Sequence, residues 1–448
     1  MNKRLIYIVL FLTLIVKLIV GSVLPIAADE AYYWVWGQNL QLSYFDHPGM
    51  VGWLSSLTNF IPILKPALAL RIIFISLSTL TFYIWIKVFF TIRTPQNSSV
   101  AKYEFIIFAA LYNLNPLTGF GSILATPDAP LMFFWALSTL AMSHILISHK
   151  TKDYILLGVF LGLGFCSKYH IVFFPLFSLI SILLEKKLKH ISIKKLFLTF
   201  VFGLIFSLPV LIWNYQNDFA SFKFQLNHGL NASVDYQSWW SLTYLGGQIL
   251  IFNPFLIYNV YLGLKNNWQN STSLKTALGQ WLFFFYSSFK AKVEANWPLT
   301  SHAGALINLD YKNHKMNNFA IGYYVVLWIA FISLLPTDMG KKKIIQLPTS
   351  TTIEEITPVI SKYQPLYGPT YQISSLIQLV NQTAVYKLNG ISRYDFFDTL
   401  DKSSPKESTF YVLKYNFTNW PPQYSEYKKD LIESMDNYNM EIFKLSHE

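Results

Sequence analysis

A polytopic α-helical membrane protein with a small C-terminal α/β domain is the fold class this sequence predicts, and three observations carry the prediction. The 448 residues are 53% hydrophobic and only 13% charged, about half the charge of an ordinary soluble domain, with a mean hydropathy of +0.34. Apolar runs of helix-spanning length recur as far as residue 336. The charge pattern then changes: residues 1–340 hold 12 acidic and 23 basic side chains, whereas residues 341–448 hold 12 of each. All of the +11 net charge therefore lies in the first part, and the chain divides into a membrane domain, 1–340, and a soluble domain, 341–448. These proportions exclude a disordered chain and a conventional cytosolic enzyme. The lone cysteine, Cys166, excludes a disulfide scaffold.

Taken in order, apolar segments suited to helices fall near 5–25, 66–90, 104–122, 129–148, 154–167, 170–184, 196–213, 242–262, 274–289, 298–309 and 319–336, judged against the roughly 20 apolar residues a span needs. The segment 298–309 is the shortest and most polar. The first follows Lys3 and Arg4 but is too long for a signal-peptide core and lacks a small-residue cleavage site, so it is expected to remain as a helix. A cytoplasmic N-terminus makes 91–102, 149–153, 185–195, 265–275 and 310–315 cytoplasmic connections. With Lys3 and Arg4 they carry 15 Lys or Arg, against five in the opposite loops, the positive-inside pattern. Basic residues spaced between apolar runs speak for membrane lipids as partners and against nucleic acid, which would need a basic patch beside stacking aromatics. About eleven spans leave the tail outside, facing a periplasm. There, β-like runs (383–387, 409–414), a helical stretch (374–381) and turn signals (365–369, 389–390) predict a small α/β fold.

Acids gather in the outer connections: Asp29, Glu30 and Asp46 in the first, Asp128 in the second, Asp218, Asp235 and Glu294 later. Asp29 and Glu30 directly follow a membrane helix and precede Tyr32-Tyr33-Trp34-Val35-Trp36. An interfacial belt explains the aromatics but not adjacent carboxylates at that depth, which are costly unless paired or used. Lys168, in Ser167-Lys168-Tyr169-His170, interrupts an apolar run; it is either a cation aimed at an anion or a lysine snorkelling to headgroups. Arg71 is either an anion ligand or half of a structural ion pair with a loop carboxylate. Asp128, between Pro127 and Pro130, suits positioning work or capping of the next helix. A polar and aromatic loop from 213 to 240 is suited to lie along the membrane surface with Gln225, Asn227 and His228 turned to a headgroup. Outer acids fit an enzyme acting at that face and also a transporter. The transporter is disfavoured because neither an inverted repeat nor a helix broken near the midplane is legible.

Several motifs carry a family resemblance. Asp29-Glu30-Ala31-Tyr32-Tyr33-Trp34 followed by Tyr44-Phe45-Asp46-His47-Pro48 resembles the first periplasmic loop of the polyprenyl-phosphate-sugar-dependent glycosyltransferases of the membrane-embedded C-type fold, the superfamily of the protein O-mannosyltransferases and the bacterial lipid A aminoarabinose transferases. Ala125-Thr126-Pro127-Asp128-Ala129-Pro130, Cys166-Ser167-Lys168-Tyr169, Ala295-Asn296-Trp297-Pro298 and Val385-Tyr386-Lys387-Leu388-Asn389-Gly390 match in the same order. The departure is at 296–336, which is shorter and more polar than the family pattern.

The resemblance implies an inverting transferase of the bacterial inner membrane, with its site and C-terminal domain in the periplasm. Its partners would be an undecaprenyl-phosphate sugar donor and a lipid A or other periplasmic acceptor. Asp29, Glu30 and Asp128 would be catalytic; Lys168, Arg71 and Tyr169 would hold the donor phosphate; Asp46, His47, Tyr32 and Asn296 would position substrate. A hydroxyl acceptor needs Asp29 as general base, whereas a phosphate acceptor is already ionised. A protein O-glycosyltransferase is the alternative within this class. No cofactor is required. A divalent cation is compatible, Mg²⁺ or Mn²⁺ on Asp29, Glu30 and Asp128, or Zn²⁺ with His47, though no spacing forms a metal motif.

Overall fold

A computed structural model describes residues 3–93, 98–230, 237, 239–334 and 348–447. The expected 340/341 domain boundary, Asp235 and the side chain of His228 lie outside the described residues. In chain order the helices are α1 (Lys3–Val23), α2 (Ala28–Gln38), α3 (Met50–Ser55), α4 (Pro66–Ile92), α5 (Ser98–Leu114), α6 (Asp128–Ser148), α7 (Thr151–Phe165), α8 (Phe173–Leu184), α9 (Ile193–Gln216), α10 (Ala220–Leu230), α11 (Trp239–Phe252), α12 (Pro254–Asn266), α13 (Thr272–Ser287), α14 (Leu299–Ile307), α15 (His314–Leu334), α16 (Ser350–Ile360) and α17 (Tyr371–Asn381). Within the described residues each apolar segment expected to be helical forms helix over most of its length, two of them with a break. Among the described residues, five (α1, α4, α6, α9 and α15) are long and apolar enough to cross a membrane, or up to seven counting each bent pair as one span.

The two bends have one chemical cause. In each, an asparagine followed by proline ends one helix and starts the next, because proline has no N–H to donate and its ring obstructs the preceding turn. Asn115 Oδ1 accepts from the Leu117 and Thr118 amides at 3.0 and 3.1 Å, and the chain turns by 73°. Asn253 Oδ1 accepts from the Phe255 amide at 3.1 Å, and the chain turns by 84°. The breaks meet: Asn115 Nδ2 donates to Tyr324 Oη at 2.9 Å, and Tyr324 donates to the Phe252 carbonyl at 2.6 Å. Backbone freed by a break inside a membrane must be satisfied within the protein, and here each break helps to satisfy the other. The sequence reading that no helix is broken is thus corrected; the breaks are packed against α15.

The five connections expected on one side do lie together. Lys195 Nζ donates to the His149 carbonyl at 2.7 Å, Lys187 to Asn270 at 2.9 Å, Asn266 to Asp310 at 3.2 Å, and Arg93 to the Leu309 carbonyl at 3.0 Å. The segment 298–309 differs from a lipid-facing span. Its helix, α14, has nine residues, all buried, and rises only about 14 Å. It nevertheless links the two sides, with Asn296 beside Asp128 before it and the Ile307 carbonyl accepting from Arg93 at its end.

After residue 347 a five-stranded sheet forms, in the order β2-β1-β3-β5-β4. The strands are β1 (Leu366–Gly368), β2 (Tyr386–Lys387), β3 (Thr409–Tyr415), β4 (Lys428–Met435) and β5 (Met440–Ser446). β1 pairs in parallel with β2 and β3, and β5 pairs antiparallel with β3 and β4. The turn expected at 365–369 is instead the buried strand β1, because Leu366 and Tyr367 pack into the sheet from both sides. α17 lies on α2, and Ile373, Leu376 and Ile377 share one apolar cluster with Tyr32, Trp36 and Tyr44. Backbone contacts join the parts: the Ile26 amide donates to Ser350 Oγ at 3.1 Å, and the Phe396 amide to Tyr32 Oη at 3.0 Å.

Candidate active site

Where the first loop, α10, the α6 and α8 entries and the C-terminal domain meet, they enclose a cavity of about 880 Å³. Phe165, Phe173, Phe222, Phe283 and Phe284 form an apolar wall, and Asp29, Asp46, Asp128, Lys168, Glu294 and Arg393 bring charge to it. That mixture and size suit a ligand that is partly apolar and partly anionic.

One charged group is built by three sequence motifs. Asp128 is the first residue of α6, with Pro127 at the cap position, where the helix dipole favours a carboxylate. Its Oδ1 accepts from Lys168 Nζ at 2.7 Å and its Oδ2 from Asn296 Nδ2 at 2.6 Å. The structure therefore brings Asp128, Lys168 and Asn296 together, 40 and 168 residues apart. An ammonium has three N–H donors, so one bond to Asp128 leaves Lys168 two to offer the cavity. Tyr169, beside it, shares a hydrogen with Ser221 Oγ at 2.9 Å and accepts from Asn214 at 3.4 Å.

The second group joins the first loop to the C-terminal domain. Asp46 Oδ2 accepts from the Tyr32 hydroxyl at 2.6 Å, and Oδ1 from Arg393 Nη1 at 2.8 Å. The guanidinium lies over Tyr371, 4.8 Å from its ring centre, and over Phe224 at 5.7 Å. Gln225 reaches the Asp46 carbonyl at 2.5 Å, so the stretch expected as a surface loop is helical at α10 and turns this polar side chain to the protein as well as to the cavity. Asp29 faces the cavity beside this group and accepts from the Tyr371 hydroxyl at 3.3 Å. Its side chain is solvent-accessible and lines the cavity; the protein atoms crowded around it raise its pKa, and Tyr371 and Arg393 offset this only in part. His47 lines the same cavity, its ring centre 6.4 Å from Tyr33.

Two expected site residues stand elsewhere. Glu30, the neighbour of Asp29, is wholly buried. Its Oε1 accepts from Arg71 Nε at 2.6 Å and from the Ala125 amide at 3.0 Å, its Oε2 from Arg71 Nη2 and from the Ala27 amide at 3.0 Å. Arg71 also donates to the Gly21 and Pro25 carbonyls at 3.2 and 3.1 Å. Neither residue lines the cavity, so the catalytic reading of Glu30 and the phosphate-binding reading of Arg71 give way to a structural ion pair. Successive helical residues point about 100° apart, which sends Glu30 inward when Asp29 faces out. The same geometry dismantles the conceivable metal site: among the described residues no group of three or more His, Cys, Asp or Glu side chains is placed to hold a metal ion.

Sequence reasoning missed Arg393 and Tyr371. Their chain neighbours form no motif, although Arg393 is one of only four arginines in the chain and the only one after residue 93. Beneath it, buried Lys387 donates to the Arg393 carbonyl at 2.8 Å, to Asp395 at 2.7 Å and to Asp398.

This architecture is the membrane-embedded C-type glycosyltransferase fold. The chain is similar over its whole length to ArnT from Cupriavidus metallidurans. The crystal structure bound to undecaprenyl phosphate matches with a TM-score of 0.67, 12% identity and coverage of 99% of this chain and 98% of that one. The apo structure matches with a TM-score of 0.68, the same identity and the same coverage. A family model described as dolichyl-phosphate-mannose-protein mannosyltransferase matches residues 46–213. Among curated proteins, the lipid A galacturonosyltransferase RgtD of Rhizobium johnstonii is 21% identical over 296 residues, 62% of this chain and 59% of that relative's length.

Proposed function

We propose that this protein is an inverting glycosyltransferase of the bacterial inner membrane that moves a sugar from undecaprenyl phosphate to lipid A, with the cavity and the C-terminal domain in the periplasm. The observation that carries the reading is the arrangement of Lys168, held by Asp128 and Asn296, in a cavity half walled by phenylalanine and open to Asp29. It is supported by the likeness to a structure that holds undecaprenyl phosphate and to a lipid A galacturonosyltransferase. The phenylalanines take the polyprenyl chain and Lys168 its phosphate. An acceptor oxygen forms a bond to the anomeric carbon from the face opposite the phosphate, the C–O bond to phosphate breaks, and the lipid phosphate leaves with one more negative charge. Lys168 meets that developing charge in a site already organised for it.

The raised pKa of Asp29 favours a second acceptor chemistry within this reading, a hydroxyl whose proton passes to the Asp29 carboxylate. A protein O-glycosyltransferase would need that base absolutely; a phosphate acceptor would not. The test is to delete the gene in its host and compare lipid A by mass spectrometry, complementing with wild type and with Asp29→Asn. Loss of one glycosyl mass, restored by wild type, supports lipid A as acceptor, and the extent of rescue by Asp29→Asn sorts hydroxyl from phosphate. Unchanged lipid A refutes that acceptor and turns the search to periplasmic glycoproteins.

A further inference from the structure

We infer that Arg393 binds an anionic phosphate monoester of the acceptor, so that the C-terminal domain supplies the acceptor half of the site. The inference deepens the proposed transfer and rests on it. An inverting displacement needs the nucleophile and the leaving group on opposite faces of the sugar, and a site handling two phosphates needs two separate cations. The cavity has such a division. Lys168 sits with Asp128 and Asn296, whereas Arg393 sits with Asp46 and Tyr371 and next to Asp29. Each cation is held by its own aspartate, Lys168 by Asp128 at 2.7 Å and Arg393 by Asp46 at 2.8 Å, and all four residues line the one cavity. Where the reacting group is a hydroxyl its base must stand at the acceptor's end, so the end that holds Asp29 is the acceptor end, and the phosphate that Arg393 binds is one the acceptor carries beside that hydroxyl.

Arg393 is built for a planar, forked contact. Its side chain is 45% exposed although Asp46 holds one nitrogen at 2.8 Å, and its guanidinium carbon lies 4.8 and 5.7 Å from the ring centres of Tyr371 and Phe224. That leaves an edge of N–H donors for phosphate oxygens, the geometry in which arginine outperforms lysine. The loop is anchored from below by Lys387, which is 0% exposed and ties the Arg393 carbonyl to Asp395 and Asp398. A single cation on a mobile loop would need no such foundation.

The test uses the full chain in lipid nanodiscs and two probes, undecaprenyl phosphate and lipid A carrying both of its phosphates, with phosphate-free lipid A as control. Wild type is expected to bind both probes and to discriminate against the control. Arg393→Ala should bind undecaprenyl phosphate as wild type does, bind lipid A at least tenfold more weakly, and lose the discrimination; Lys168→Ala should show the reverse preference. Arg393→Lys, which keeps a charge for Asp46 but not the fork, should recover only part of the lipid A affinity and serves if the alanine variant does not fold. Unaltered lipid A binding in both Arg393 variants, or loss of undecaprenyl phosphate in its place, overturns the inference. A wild type that binds neither probe overturns the proposed function itself.

Discussion

Three aspartates line one cavity, and their partners assign them different work. Asp128 and Asp46 each face a cation, at 2.7 and 2.8 Å, while Asp29 accepts only a 3.3 Å bond from a tyrosine hydroxyl and is the carboxylate that burial pushes upward. A base whose pKa is raised toward the working pH transfers protons more effectively. Since only the ionised form accepts a proton, the rate should fall as pH drops through that raised value, placing the acid limb above the ordinary carboxylate range of about 4. Asp29→Asn should remove the limb and cost about 10²–10⁴-fold with a hydroxyl acceptor; transfer rates measured across pH 4–8 for both proteins check this. At this scale the sequence was legible where residues belong to motifs, as with Asp128, Lys168 and Asn296. It was not legible for Glu30, where the direction of a side chain on a helix decides, or for Arg393, which reaches Asp46 across 347 residues.

Helix packing repeats that lesson one level up. α7 and α9 approach closely because Gly158 and Gly162 leave out side chains: a Cβ at Gly158 would lie 2.4 Å from the Thr199 carbonyl oxygen, and one at Gly162 2.5 Å from that of Gly203. Small residues four apart let membrane helices touch backbone to backbone. Backbone cannot swing aside as a side chain can, so Gly162→Leu should separate the pair, at a cost of about 1–3 kcal/mol or more. A lowered Tm of the purified protein checks this, with Gly246→Leu as the control because nothing lies within 4 Å of its Cβ position. The glycine spacing stood in the sequence, but hydropathy alone does not distinguish a lipid-facing glycine from one pressed on a neighbour. The helix breaks at Asn115-Pro116 and Asn253-Pro254 were hidden for a related reason: each lies within an apolar run that continues past it. β1 was misread because proline and glycine mark turns in isolation, whereas Leu366 and Tyr367 are claimed by the sheet.

At the scale of the whole molecule, apolar runs and charge asymmetry sufficed to sort the loops, since both are set by the solvent on each side of a membrane and not by contacts within the chain. The five Lys- and Arg-rich connections touch one another, and Asp29, Asp46, Asp128 and Glu294 line the cavity. Cysteines placed at exposed Lys152 and Lys189 should react with a membrane-impermeant maleimide only after lysis of spheroplasts, those at Lys292 and Glu426 before it. The native Cys166 is buried and gives no background. Labelling of Lys152→Cys in intact spheroplasts would reverse the orientation. The ion pair between Asp46 and Arg393 has one more consequence, for the order of events during synthesis. At roughly 5–20 residues per second, the 347 residues between these partners take the ribosome about 17–70 s to make. The first loop is made at the start of that interval, and its wall of the cavity must wait for the closing wall. A nascent chain therefore passes most of its synthesis with the cavity unclosed.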